Sequence, residues 1–362
     1  MAYRHESSGE GDKRSGRDEV SLSEDMISRS PEPRPVRRYS VSLDAGVQFE
    51  GCDAPKVAAE ICFPVDYASP DAPLAFICLP GGSINRQYYD LGQDEGSFSF
   101  ARQMAKRGSI TVAIDHLGIG ESTRPSDGFA LTPDVIVAAN AHATRQITEG
   151  LRAGTLVPDL APLPGLLTIG VGHSMGGMLT VMQQALDPTH MALVLMGFST
   201  NGLIAYLPEP ARRLIGHPDA VPNQIQSVAR QIYSSPYPEL APSAESSTMF
   251  YGAKADRDGV AALKAARDVL LVIPGTQSMI PGSIAPQAEA ITVPILLALG
   301  DQDIAGPTHA IPASFPRCND VSLLVLPETG HCQFIFPSRQ ILFQRVADWS
   351  DMISRMVNTC SN

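Results

Sequence analysis

Residues 166 to 179 read Leu-Leu-Thr-Ile-Gly-Val-Gly-His-Ser-Met-Gly-Gly-Met-Leu, an apolar strand that runs into Gly-x-Ser-x-Gly and then directly into a helical pattern. A chain holding 30 glycines meets the bare five-residue pattern by chance, so the flanks carry the weight. Glycines two before and two after a serine permit a sharp strand-to-helix turn that pushes the serine hydroxyl out of the sheet. Ser174 is therefore a candidate nucleophile. The backbone N–H of Met175 opens the following helix, where it has no helical acceptor and sits at the positive end of the helix dipole, suited to a developing oxyanion.

A serine hydroxyl is a poor nucleophile near neutral pH, so it needs a general base, and an imidazole base needs a carboxylate to hold its tautomer. Both occur downstream, each just after a strand-like run. Residues 294–299 lead into Gly300-Asp301-Gln302-Asp303, and residues 321–326 lead into Pro327-Glu328-Thr329-Gly330-His331. His331 is the candidate base, and Asp301 and Asp303 compete for the carboxylate. The chain order of serine, acid and histidine is one of the known orders for this chemistry.

The rest of the chain supports a sheet on which such groups can converge. Apolar runs at 39–47, 57–63, 74–79, 110–115, 166–171, 192–198, 294–299 and 321–326 read as eight strands, the first two an antiparallel pair at the edge. Helical patterns at 98–107, 133–152, 175–186 and 342–356 alternate with the later strands, and Thr132 with Pro133 makes a good helix start. Strands alternating with helices predict a mostly parallel α/β sheet covered on both faces. The roughly 90 residues between the sixth and seventh strands exceed any plain loop, so an inserted helical cap over 200–290 is expected, with helical pieces at 223–233 and 258–269. The core then comprises 39–199 and 291–362. Residues 1–38, polar and ending in Pro31-Glu32-Pro33-Arg34-Pro35, read as a flexible tail.

These features together resemble the α/β-hydrolase superfamily, on its serine esterase and lipase branch with a cap, from about Tyr39 to the C-terminus. The resemblance implies Ser174, Asp303 and His331 as the catalytic residues, because related loops place the acid three residues after the glycine, as Asp303 stands to Gly300. Leu79-Pro80-Gly81-Gly82-Ser83 occupies the place of the family's oxyanion loop, with Pro80 where many relatives carry histidine. Gly82 is the implied second N–H donor beside Met175, with Ser83 as runner-up. Ala113 to Ser122 resembles a structural Asp-x-x-Gly-x-Gly-x-Ser loop that shapes one wall of the site. Serine in place of aspartate at the elbow argues against an ester formed on the enzyme's own carboxylate.

The implied activity is cleavage of a small or medium apolar carboxylic ester or lactone through an acyl-enzyme on Ser174. An acyltransferase with a non-water acceptor would use the same groups, and a non-catalytic binding protein on the same fold is the remaining reading. Ser83, Tyr88 and Phe198 are expected to touch substrate, whereas Tyr206, Phe250, Tyr251 and Met279 read as packing within the insertion. The insertion shows no basic cluster beyond Arg212-Arg213, which argues for an uncharged substrate.

Composition removes other classes. Lys plus Arg number 27 against 38 Asp plus Glu, a formal charge of −11 that repels a phosphate backbone, so no nucleic-acid partner is expected. No apolar run reaches the roughly 18–20 residues that span a bilayer, and the N-terminus has no apolar signal region, so a cytoplasmic location without a membrane span is expected. The six cysteines show no metal-ligand spacing, and no G-x-G-x-x-G or phosphate-binding loop occurs, so neither metal nor cofactor is expected. Oligomeric state leaves no mark on the sequence.

Overall fold

Along β3 (Leu74–Leu79), Ala75, Ile77 and Leu79 enter one apolar cluster while Leu74, Phe76 and Cys78 enter another. This period-two division marks a strand buried on both faces. β6 (Ala192–Met196) and β7 (Ile295–Gly300) divide in the same way: Leu193, Leu195, Ile295, Leu297 and Leu299 face the first cluster, and Val194, Met196, Leu296 and Ala298 the second. The computed structural model describes residues 35–67, 72–92, 96–240, 250–252 and 254–360.

With β1 (Val36–Asp44), β2 (Lys56–Pro64), β4 (Ile110–Ile114), β5 (Leu167–His173) and β8 (Val321–Leu326), one sheet of eight strands results, in the order β1-β2-β4-β3-β5-β6-β7-β8. β1 and β2 pair antiparallel, β2 pairs antiparallel with β4, and every later pairing, through β5 to β8, is parallel. β1 begins at Val36 and not at residue 39, because it pairs with β2 along its whole length, from Val36 opposite Pro64 to Asp44 opposite Lys56. Backbone pairing there carries Arg37 and Arg38, whose polarity hid the strand. Residues 1–34 of the expected tail lie outside the described residues.

Helices close both faces. α2 (Pro133–Ala153) and α3 (Met175–Leu186) supply Ile136, Ile147, Leu179 and Val181 to the first cluster. α1 (Phe100–Ala105) and the C-terminal helix supply Phe100, Met104, Phe343 and Val346 to the second. The Thr132 hydroxyl accepts from Val135 N at 3.4 Å and Gly154 ends α2 at φ 69°, the two terminal signals that set its length.

Between β6 and β7 lie α4 (Glu209–Arg212), α5 (Val221–Ile232), α6 (Arg257–Ala265), α7 (Val272–Met279) and α8 (Ala285–Ala290). α5 and α7 share a separate small cluster of Ile225, Val228, Val272 and Ile273. α6 stops at Ala265 although apolar periodicity continues to residue 269. Asn85 N donates to Ala266 O at 3.0 Å and Asp268 N donates to Ser83 O at 2.9 Å, so the backbone after Ala265 pairs with another segment instead of continuing the helix. The C-terminal helix is α9 (Arg339–Cys360), longer at both ends than its apolar pattern. Among the described residues no helix is long and apolar enough to cross a membrane.

Candidate active site

Ser174 occupies the junction of β5 and α3 with φ 55° and ψ −122°, a conformation that costs a non-glycine residue on the order of 1–3 kcal/mol. Its surroundings hold it there. Ser174 N donates to Met196 O at 2.8 Å, and Ser174 O accepts from Gly177 N at 2.8 Å and Met178 N at 3.2 Å. A Cβ on Gly172 would lie 2.5 Å from Gly176 O, and one on Gly176 would collide with Leu79 O. The turn therefore closes only with glycine at both positions.

His331 Nε2 is 2.8 Å from Ser174 Oγ, and His331 Nδ1 is 2.8 Å from Asp303 Oδ1. The neutral imidazole that fits both contacts donates from Nδ1 to the carboxylate and accepts the serine proton at Nε2. Asp303 Oδ1 also accepts from Ala305 N at 3.0 Å and Oδ2 from Gln333 Nε2 at 3.0 Å. Burial by itself would raise the Asp303 carboxyl, but the facing His331, its hydrogen bond and the one from Ala305 N outweigh it and hold the group below its ordinary value. Asp301, the competing carboxylate, is exposed and accepts from Thr329 N at 3.0 Å, so it clamps the loop that carries His331. Gly300 permits that clamp, since a Cβ there would run into Thr329 O.

On the other side of Ser174 lies the turn after β3. A Cβ on Gly81 would lie 2.8 Å from His173 Nδ1 and 3.1 Å from Ser174 Cβ, which shows how closely this backbone approaches the elbow. Gly82, Ser83 and Met175 all line the cavity in front of Ser174. Ser83 has φ 60°, and its hydroxyl is buried without a hydrogen-bond partner. Behind the turn, His116 Nε2 donates to Pro80 O at 3.0 Å while Nδ1 accepts from Asn140 Nδ2 at 2.9 Å. Burial holds that imidazole neutral, down to about 4. The loop from Asp115 to Ser122 is structural: Asp115 accepts from Arg86 N at 2.8 Å and Glu121 N at 3.0 Å and pairs with the Arg86 guanidinium, and Ser122 Oγ links Ala58 N to Asp115 O.

The cavity has a volume of about 280 Å³. Tyr206, Phe250, Tyr251 and Met279, expected to pack within the inserted segment, all line it. Two residues expected at its mouth do not. Tyr88 is fully buried, stacked on Phe334 with ring centroids 4.6 Å apart and set against His173, because the helical turn Arg86–Asp90 folds it beneath the elbow. Phe198 packs onto α3, where a Cβ on Gly177 would meet Phe198 Cβ at 2.7 Å. Ser83 alone of those three borders the cavity. Gln333 and Arg267 escaped the sequence reading. Gln333 stands two residues after His331, a position that could have drawn attention, whereas nothing local to Arg267 marks it.

A family profile described as the alpha/beta hydrolase family matches residues 76–342, and the chain belongs to that family. Solved structures similar to the chain include a hypothetical protein of Pseudomonas aeruginosa, 17% identical over 88% of this chain and 94% of that one, with a TM-score of 0.56. An esterase of Thermogutta terrifontis is 12% identical over 87% of this chain and 99% of that one, TM-score 0.55. The proline iminopeptidase of Mycobacterium smegmatis is 17% identical over 88% and 100%, TM-score 0.52. At such identities the likeness is one of fold. No curated protein matches the chain in sequence.

Proposed function

We infer that the protein is a serine hydrolase that cleaves a carboxylic ester or lactone through an acyl-enzyme on Ser174. The observation that carries this reading is the unbroken hydrogen-bonded run Ser174–His331–Asp303 at a strained elbow that opens on a cavity. Ser174 Oγ attacks the carbonyl as His331 Nε2 takes its proton, and Asp303 stabilises the imidazolium. The N–H groups of Met175 and Gly82 hold the oxyanion, each donor worth on the order of 10²–10³ in rate. His331 then protonates the departing alcohol. Water, activated by the same imidazole, releases the acid.

The inserted residues 200–290 act as a cap in this reading, since Leu203, Tyr206, Tyr251, Leu270 and Met279 wall the cavity from that segment. Such walls and a volume of about 280 Å³ suit a small or medium substrate with an apolar body. Two of the structural neighbours, an esterase and a proline iminopeptidase, are hydrolases by name, and hydrolysis at an acyl carbon agrees with this class. The test is intact-mass detection of a fluorophosphonate adduct, followed by turnover of aryl esters. One adduct on the wild type and none on Ser174→Ala is expected. A folded wild type that takes no adduct and cleaves no ester would overturn the reading.

A further inference from the structure

Among the described residues that line the cavity, Arg267 is the one permanently charged, and no Asp or Glu of that set joins it there. It is held in place by backbone, not by its side chain. Arg267 sits opposite Ile84 in a short antiparallel bridge, flanked by the bonds Asn85 N to Ala266 O and Asp268 N to Ser83 O. Gly82 lies two residues before Ile84, at most roughly 7 Å of extended backbone away. The ladder that ends α6 therefore docks a cation beside the oxyanion turn.

The guanidinium itself is underused. One of its nitrogens donates to Leu240 O, another cavity-wall residue, and no carboxylate among the described residues lies within ion-pair distance of it. Its neighbours behave otherwise: Arg124 takes the Asp268 carboxylate at 3.3 Å and Arg86 takes Asp115. Five N–H donors in a planar fork suit a carboxylate, and this half-buried cation borders a cavity with mostly apolar walls. Tyr251 lines the same cavity, and burial raises its phenol while the Arg267 charge offsets part of that rise.

We propose that Arg267 anchors a carboxylate of the substrate, so that the preferred ester has an apolar body with the scissile carbonyl at Ser174 and a free acid group set back from it. This rests on the serine hydrolase reading and replaces the uncharged substrate that the absence of a basic cluster in the sequence had suggested. Clustering was the wrong criterion, because one guanidinium in a confined apolar cavity suffices to recognise one anion.

The experiment compares mono-4-nitrophenyl esters of glutaric, adipic and suberic acid with 4-nitrophenyl esters of monocarboxylic acids of equal length. The wild type should favour the acid-bearing ester of the best-fitting length by about tenfold to hundredfold in kcat/KM, the range of a hydrogen-bonded charge pair. Arg267→Gln should bring that ratio close to unity, and Arg267→Lys should leave an intermediate ratio because it keeps the charge without the fork. A wild-type ratio at or below unity for every length overturns the proposal, as does a ratio that Arg267→Gln leaves unchanged. So does an equal fall for both ester classes in both variants, the mark of a purely structural arginine. Fluorophosphonate labelling of the same preparations separates the two failures, since a labelled wild type without acid preference loses only the anchor. A folded wild type that takes no label and cleaves no ester removes the hydrolase reading, and calorimetry of adipate binding to Ser174→Ala against the Ser174→Ala, Arg267→Gln double variant then decides the anchor: binding only with Arg267 upholds it, and binding to neither, or equally to both, rejects it.

Discussion

The α-carbon of Gly176 faces the carbonyl oxygen of Leu79 with room for a hydrogen and nothing larger. That contact joins the start of α3 to the end of β3 and so fixes the distance between the turn bearing Ser174 and the turn bearing Gly82. The obstacle is backbone on both sides, which no side-chain rotation relieves. Gly176→Ala should destabilise the protein by about 1–3 kcal/mol, the usual cost of overpacking. Fluorophosphonate labelling should slow more than the loss of folded protein accounts for. Equal melting temperature and equal labelling would show that the two turns are not locked together.

On the proposed mechanism, Ser174→Ala and His331→Ala should each lower turnover by about 10⁴–10⁶ with the fold intact, as expected of residues that act as one unit. Asp303→Asn should cost less than either, within about 10²–10⁴, because His331 keeps its place while its tautomer loses support. Asp301→Asn separates the two candidate carboxylates. It should lower the melting temperature through the weakened bond to Thr329 N, worth on the order of 1 kcal/mol, and leave kcat/KM close to wild type. Circular dichroism and steady-state kinetics on the four variants make the comparison, and a large kinetic loss in Asp301→Asn would reassign the acid.

Acid should unfold this protein earlier than its carboxylates alone require. His116, His173 and His190 are buried, and burial first of all lowers them from 6.5 to about 4, about 3 and about 4. The unfolded chain binds those protons more readily than the native one, so the stability these groups contribute is full above about 6.5 and is lost as the pH falls toward 4. The lowered Asp303 adds a loss of the same sign below its unfolded value. Urea midpoints measured from pH 7 to pH 4 should fall steadily. His190→Gln should flatten that slope by about one proton. A midpoint independent of pH across that range would refute the neutral, buried state of these rings.

Cavity length should set acyl preference. Met279, at the end of α7, lines the wall contributed by the inserted segment. Met279→Trp adds bulk there and should shift the optimum toward shorter acyl chains, with the longest esters losing most in kcat/KM. Turnover of an acetate, butyrate, hexanoate and octanoate series by both proteins measures this. A uniform loss at every length would place Met279 outside the acyl path.

Much of the site was legible because its logic is local. Gly172, Ser174 and Gly176 lie within five residues, and the apolar runs before Asp303 and His331 announced strands whose C-terminal ends meet at one edge of a parallel sheet. The resemblance implied Asp303 over Asp301; of the two, Asp303 is the one that meets His331 Nδ1, whereas Asp301 accepts from Thr329 N. Tyr88 and Phe198 were misplaced for a common reason. Following a strand in sequence says that a residue is near the edge, whereas the facing of its ring depends on the next turn, and Arg86–Asp90 turns Tyr88 inward onto Phe334.

By itself the sequence determined the alternation of strands and helices, the elbow, and the order of serine, acid and histidine, because each depends on spacing within a few residues and on the period of apolar side chains. Only the tertiary structure decided which residues wall the cavity and that Arg267 stands beside the turn that follows β3. Its place depends on a backbone ladder between segments far apart in the chain, Ser83–Asn85 and Ala266–Asp268, and such pairing between N–H and C=O groups common to every residue leaves no mark in the identity of the side chains.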